Sequence, residues 1–230
     1  MPEDKATELK KAAAQFAADQ VQDGMKVGLG TGSTAYHLVE ALGRRVAAGL
    51  RIIGVPTSER TRTQAAGLGI PLADLGQHPQ LDLTIDGADE VATGSLNLLK
   101  GLGGALLREK IVAAASSKLI IIVDESKIVD HLGSKSVVPV EVVPFGWQSA
   151  AGRIEKLGAT PVLRKTPAGE PYVTDGSHYI LDCAFGPIPD AEKLDQQLNS
   201  IVGLVEHGMF LGMTSLVIIG KAGGIETLRP

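Results

Sequence analysis

The chain has 230 residues and a formal net charge of −4, from 22 Lys and Arg against 26 Asp and Glu. That length accommodates one large α/β domain, or a larger and a smaller one, with a substantial core. The acidic balance and the lack of a basic cluster interleaved with aromatics argue against a nucleic-acid surface; no apolar run reaches the roughly 20 residues that span a bilayer, and one cysteine, Cys183, permits neither an internal disulfide nor a thiolate pair for zinc.

Residues 7–21 carry an amphipathic helical pattern with charges of both signs and no apolar core of signal-peptide type, so a cytoplasmic protein is expected. Asp23-Gly24 closes that helix. A short apolar strand at 25–29 is followed by Gly30-Thr31-Gly32-Ser33-Thr34, which opens a helix to about residue 48. A strand, a glycine turn and a helix start make an anion site, because free backbone N–H groups and the positive helix end meet there. The dinucleotide fingerprint fails: Ser33 stands where it wants glycine, and no acidic residue closes the next strand at 52–55. The Walker loop fails too, since no Gly-Lys-Ser/Thr occurs in the turn.

Residues 57–61 (Thr-Ser-Glu-Arg-Thr) cap a helix to about residue 67, with hydroxyls suited either to capping or to a ligand. A short strand is expected at 70–75, a fourth at 81–85 and a fifth at 118–123. Strands nearly continuous in apolar residues and alternating with helices imply a parallel sheet covered on both faces, with ligands at its carboxyl edge. Asp86 and Asp89 follow the fourth strand, and Asp124 to Lys127 the fifth. An Asp-Gly turn explains residues 86–89 in isolation. A metal held by Asp86, Asp89 and Glu90 lacks the acidic spacing of a calcium loop and competes with the lysines at 100 and 127. A glycine-rich turn surrounds Lys100, and the helix after it sets Glu109 on the face of Ala105, Val112 and Ala113. A carboxylate on an apolar face asks for an explanation.

From about residue 134 the texture changes. Strands at 137–145, 160–164, 172–174, 179–184 and 204–210, with helices at 147–157 and 190–201, suggest a split βαβ module. Within it Asp182 and His207 read as structural. A last strand at 216–219 returns to the large domain, and 221–230 is expected as its cover. The fold class is therefore α/β: a Rossmann-like parallel sheet domain (1–133 plus 207–230) with a second, smaller ferredoxin-like α+β domain (134–206), an interface or lid.

A phosphate cradle, two acids, lysines and a carboxylate in apolar surroundings suit proton abstraction beside a carbonyl on a small phosphorylated molecule. Desolvation makes a carboxylate a better proton acceptor near neutral pH, and a lysine ammonium stabilises the enediolate oxyanion. Such chemistry requires no redox cofactor and no metal. Three competing motifs aside, GLGTGSTA at 28–35, TIDGADE at 84–90, KGLGGALLREK at 100–110 and Asp-Glu-Ser-Lys at 124–127, with VPVEVVPF at 138–145 and LVEHGMF at 204–210, resemble the successive signatures of the type A ribose-5-phosphate isomerase family.

The resemblance implies a cofactor-free aldose-ketose isomerase of the pentose phosphate pathway, acting on a pentose phosphate and usually a homodimer. It implies that Glu109 is the base between C1 and C2, that Asp86 and Asp89 open the furanose and handle hydroxyl protons, and that Lys100 steadies the enediolate. Substrate would be bound by Thr31, Gly32, Ser33 and Thr34, by Asp86, Gly87, Ala88 and Asp89, by Lys100, Gly101, Leu102 and Gly103, and by Lys127. Leu102 departs from the pattern, which usually has glycine there; a β-carbon at that place either narrows the loop or calls for a negative φ. A sugar-phosphate sensor would keep the cradle without the catalytic set, and acyl or coenzyme A transfer would use a glutamate nucleophile.

Overall fold

The structure, a computed structural model, describes residues 3–230. Its elements begin with α1 (Glu3–Ala18), β1 (Lys26–Leu29), α2 (Ser33–Ala47), β2 (Ile53–Pro56), α3 (Glu59–Gly67) and β3 (Leu83–Asp86). Two short strands, β4 (Glu90–Ala92) and β5 (Leu98–Leu99), precede α4 (Leu106–Ala114), β6 (Leu119–Asp124) and β7 (Ile128–Val129). Then come β8 (Val138–Val142), α5 (Trp147–Glu155), β9 (Thr160–Leu163), β10 (Tyr179–Ala184), α6 (Ala191–Asn199) and β11 (Leu204–His207). The chain closes with β12 (Met209–Phe210), β13 (Leu216–Lys221) and β14 (Gly224–Leu228). Among the described residues no helix is long and apolar enough to cross a membrane.

The chain divides into two compact units, one running to Ala88 and adding Arg108–Lys127 and Met213–Pro230, the other Asp89–Leu107 with Ile128–Gly212. The first unit is a six-stranded sheet in the order β14-β13-β6-β3-β1-β2, parallel except for the last hairpin. All six residues of β6 are buried, which is why this strand reads as an unbroken apolar run. One face packs Val27, Leu29, Ile85, Ile122 and Ile218 against α1 and α2, through Ala13, Ala14, Ala17, Leu38 and Leu42. Alanines let α1 lie close: a β-carbon on Gly220 of β13 would stand 2.2 Å from the carbonyl oxygen of Leu9. On the other face, α4 packs Val112 with Val55 and Leu81. Strand alternation turns Gly28 and Thr84 toward that helix, where Thr84 Oγ1 meets Ser116 Oγ at 2.6 Å.

The second unit holds the β8-α5-β9-β10-α6-β11 succession, an antiparallel sheet in the order β11-β8-β10-β9. That is the ferredoxin-like arrangement expected. Its core includes Val138, Val140, Val142, Ile154, Leu181, Cys183 and Leu198. Burial pushes the Cys183 thiol well above its ordinary range, with the charge of Asp182 adding to it. A further small sheet, in the order β12-β5-β4-β7, belongs to the same unit.

Several expectations are corrected. No strand forms at 70–75; the segment makes a single bridge, Leu72 to Gly54. Residues 172–174 form no strand either, and the 204–210 strand breaks at Gly208 into β11 and β12. The tail expected as a cover forms a strand of the sheet, β14, paired along β13. The units also divide elsewhere than at residues 134 and 206: Asp89–Leu107 goes with the smaller unit. Its strands β4 and β5 are two or three residues long, too short to show a period of their own.

A β-carbon on Gly28 would lie 1.9 Å from Thr84 Oγ1 and 2.7 Å from Val112 Cγ1. Gly28→Ala is expected to destabilise the protein by about 1–3 kcal/mol, the usual overpacking penalty, as measured by urea unfolding.

Candidate active site

In the first unit the order of strands reverses at β1, which has β2 on one side and β3 on the other. The loops leaving β1 and β3 therefore flank the crevice that such sheets offer to ligands. After β1 the chain turns at Gly30, whose N–H donates to Ile85 O at 3.0 Å. Only glycine fits, since a β-carbon would sit 2.2 Å from Asp86 Oδ1 and 2.6 Å from its Cα. Asp86 is 1% exposed. Its Oδ1 accepts from the N–H of Thr31 at 3.0 Å and of Gly87 at 2.7 Å. One carboxylate oxygen thus ties the two loops together.

Thr31 points inward. Its hydroxyl lies 2.7 Å from Thr57 Oγ1, 2.8 Å from Ser58 Oγ and 3.1 Å from Thr61 Oγ1. Thr57 donates onward to Leu29 O at 3.1 Å and Thr61 to Gly30 O at 3.0 Å. Four buried hydroxyls thereby satisfy one another beneath the loop. Ser58 also caps α3, accepting from Thr61 N. Of the two uses suggested by sequence for 57–61, capping is seen directly, and the hydroxyls also support Thr31.

Gly32, at φ 118, begins α2 with no side-chain cap. The first-turn N–H groups of α2 and the positive end of its dipole are therefore presented at the loop, an anion-binding arrangement. Ser33 is exposed and Thr34 buried. Lys10 of α1 donates from Nζ to Ser33 Oγ at 3.1 Å. That cation was missed in the sequence because it sits in an ordinary amphipathic helix; the signal was its place one step after buried Leu9, at the margin of the apolar stripe.

Glu109 is 4% exposed, on the α4 face that also buries Val112 (4%) and Ala113 (5%). Its predecessor Arg108 reaches α3, donating to Glu59 Oε1 at 2.6 Å and holding that carboxyl below its usual range. At the end of β6, Asp124 Oδ1 accepts from Ser126 N at 2.9 Å and from the Ser126 hydroxyl. It shapes the turn that carries Lys127. Thr31 to Thr34, Asp86, Gly87, Ala88, Glu109 and Lys127 thus all belong to the first unit.

Asp89 and the Lys100 loop belong to the second. Asp89 N–H donates to Leu99 O at 2.8 Å, while its Oδ2 accepts from Leu102 N at 3.0 Å. Lys100 N–H donates to Gly208 O at 2.8 Å. The Lys100 side chain is 3% exposed, and Nζ stands 5.4 Å from the centroid of the Phe210 ring, a cation–π distance. Gly101 and Gly104 take positive φ, 104° and 81°. Leu102 does not; apart from glycines, only Leu96 and Ser177 have positive φ among the described residues. The side chain at 102 is therefore tolerated without backbone strain, 44% exposed beside exposed Gly103.

Glu90 is occupied elsewhere, accepting from Gly133, Lys135 and Ser136 N–H at 2.6 Å each. Among the described residues no three His, Cys, Asp or Glu side chains gather as a metal site would require. His207 is buried, its Nδ1 accepting from Met209 N at 3.3 Å and its Nε2 lying 3.0 Å from Asp195 Oδ1. Asp182, likewise read as structural from the sequence, accepts from Arg164 Nε at 2.9 Å.

Residues 53–224 match the family model for ribose 5-phosphate isomerase A (phosphoriboisomerase A). Ribose-5-phosphate isomerase A of Synechococcus sp. (strain JA-3-3Ab) is 61% identical over 225 residues, covering 97% of this chain and 98% of the relative. The solved structure of ribose 5-phosphate isomerase A from Methanocaldococcus jannaschii superposes with a TM-score of 0.93 at 37% identity, covering 97% of this chain and 99% of that one. A D-ribose-5-phosphate isomerase solved in complex with phospho-erythronic acid gives 0.93 at 38% identity, covering 97% and 98%.

Thr31→Val would leave Thr57, Ser58 and Thr61 one partner short in a buried place. A loss of about 1–3 kcal/mol is expected, the penalty for orphaned buried polar groups, and thermal unfolding checks it.

Proposed function

The chain belongs to the ribose-5-phosphate isomerase A family, and from that premise we propose how its residues interconvert ribose 5-phosphate and ribulose 5-phosphate through an enediolate. The reaction moves one proton between neighbouring carbons and its counterpart between neighbouring oxygens. In the open-chain aldose, Glu109 takes the proton from C2; the electron pair becomes the C1–C2 double bond, and the C1 carbonyl oxygen gains negative charge. Returning the proton to C1, while a hydroxyl proton passes from O2 to O1, yields the ketose. The burial of Glu109 on the apolar face of α4 carries this reading: desolvation in general favours the neutral form of a carboxyl group, which suits a proton acceptor.

Lys100 stabilises the enediolate oxygens, a contribution worth roughly 3–4 kcal/mol for a well-placed donor. Asp86 and Asp89 open the furanose ring and relay hydroxyl protons. The phosphate rests on the first turn of α2 at Gly32 to Thr34, with the Lys10 ammonium as counter-charge. Lys127 and the backbone at Gly87, Ala88 and Gly101 to Gly103 complete the contacts. The solved relative holding phospho-erythronic acid supports a ligand of this kind, because a sugar-acid carboxylate spreads charge over two oxygens much as the enediolate does.

We also propose that the protein acts in the cytoplasm, in the pentose phosphate pathway, as a homodimer. Apolar surface in the second unit supports self-association: Phe145 is 94% and Val202 80% exposed, near a rung where Val143 N–H donates to Gly203 O at 2.9 Å.

Glu109→Gln is expected to lower kcat by at least about 10³-fold, general-base loss lying at 10²–10⁴, with KM little changed. It should also abolish exchange of the C2 proton with solvent deuterium, followed by NMR; persistent exchange would assign the base to another group. Sedimentation equilibrium should give a dimer for the parent chain and a larger monomer fraction for Phe145→Ser.

A further inference from the structure

The Lys100 loop buries Lys100, Gly101 and Gly104 but not its tip. Leu102 and Gly103 are exposed, and Gly101 and Gly104 occupy the left-handed region, so the segment carries high conformational entropy unless something outside it holds it. Arg164, just past the end of β9, does so. Its Nη1 donates to two successive carbonyl oxygens of the loop, Gly101 O at 3.0 Å and Leu102 O at 3.1 Å. Its other edge is locked by Asp182 of β10, with Nε donating to Oδ2 at 2.9 Å and Nη2 to Oδ1. The guanidinium lies 5.9 Å from the Tyr172 ring centroid. Tyr172 in turn lies over Gly104, where a β-carbon would come within 2.3 Å of the phenol oxygen. Arg164 is only 13% exposed and Asp182 26%.

We propose that Arg164, oriented by Asp182, is a positioning residue for catalysis, fixing the Lys100–Gly104 loop so that the Lys100 ammonium is held where the oxyanion develops. The guanidinium suits the task as an ammonium does not: a planar fork engages a carboxylate on one edge and two carbonyls on the other with little further loss of freedom. The loop is then gripped from both sides. Asp89 takes the Leu102 N–H and Gly208 the Lys100 N–H, while Arg164 takes the carbonyls. The inference rests on the reading of Lys100 as the oxyanion's partner.

The test is a kinetic cycle on the intact enzyme with ribose 5-phosphate. Arg164→Ala is expected to lower kcat about 30-fold with KM within about threefold, since misplacing a catalytic group by an ångström costs up to about 100-fold. Asp182→Asn should act in the same direction, about fivefold, by freeing the fork. In a Lys100→Ala background Arg164→Ala should add less than about twofold, because coupled residues are not additive. Equal losses in both backgrounds, a change in KM alone, or an unaffected kcat would overturn the inference while leaving Lys100 in its role. Full turnover by Lys100→Ala alone would sink both together. Should Arg164→Ala fail to fold, Arg164→Lys carries the same cycle, and circular dichroism establishes which variants are native.

Discussion

Much of the molecule depends on a single carboxylate oxygen. Asp86 Oδ1 receives the N–H of Thr31 and of Gly87, which fastens the exit of β1 to the exit of β3 at the place where the sheet's strand order reverses. The fastening is possible only because Gly30 has no side chain. Once the loop is fixed, Thr31 turns its hydroxyl down into the Thr57, Ser58 and Thr61 cluster, and α2 starts with its first-turn amides facing outward. An anion site assembled this way uses backbone donors and a dipole, not a field of lysines. That agrees with a chain whose net charge is −4.

The placement of Glu109 follows from packing one turn further along α4. Val112 fills the space that Gly28 leaves, and Ser116 bonds Thr84. These contacts seat the helix on β1 and β3, with Glu109 4% exposed. Removing a carboxylate from water costs several kcal/mol, and natural folds keep such arrangements chiefly at functional sites, with the cost offset by the rest of the structure. Lys100 presents the same tension in the other unit, where its ammonium is buried beside the Phe210 ring and the loop bearing it is tied down by backbone bonds.

Most of the large sheet was legible in the chain. Continuous apolar strands such as residues 119–123, the hydroxyl-bearing turn at 30–34 and the burial of Glu109 follow from period and residue type alone. The succession after residue 134 was legible as well, apart from the strand expected at 172–174, which does not form. What stayed hidden was local in sequence but tertiary in cause. Strands β4 and β5 are too short to announce themselves and exist because β7 and β12 offer edges to pair with. Residues 70–75 have strand-like composition, yet Pro71 lacks the N–H that a ladder needs. Neither Lys10 nor Arg164 belongs to a motif. Each matters through a partner remote in the chain, Ser33 for the first and the carbonyls at 101 and 102 for the second.

The two rims of the six-stranded sheet are finished differently. Along β2, Gly54 gives its N–H to Pro71 O at 2.8 Å and takes that of Ala73 at 3.0 Å, after which Pro56 ends the strand. Along β14 the hairpin carries Lys221 and Glu226 as an ion pair. Unguarded rows of amides invite strand addition from neighbouring molecules. A proline, a short covering segment and a charged hairpin leave no long apolar row for another chain to extend, so the barrier to fibrous association at high protein concentration is written into the borders of the sheet and not into its interior.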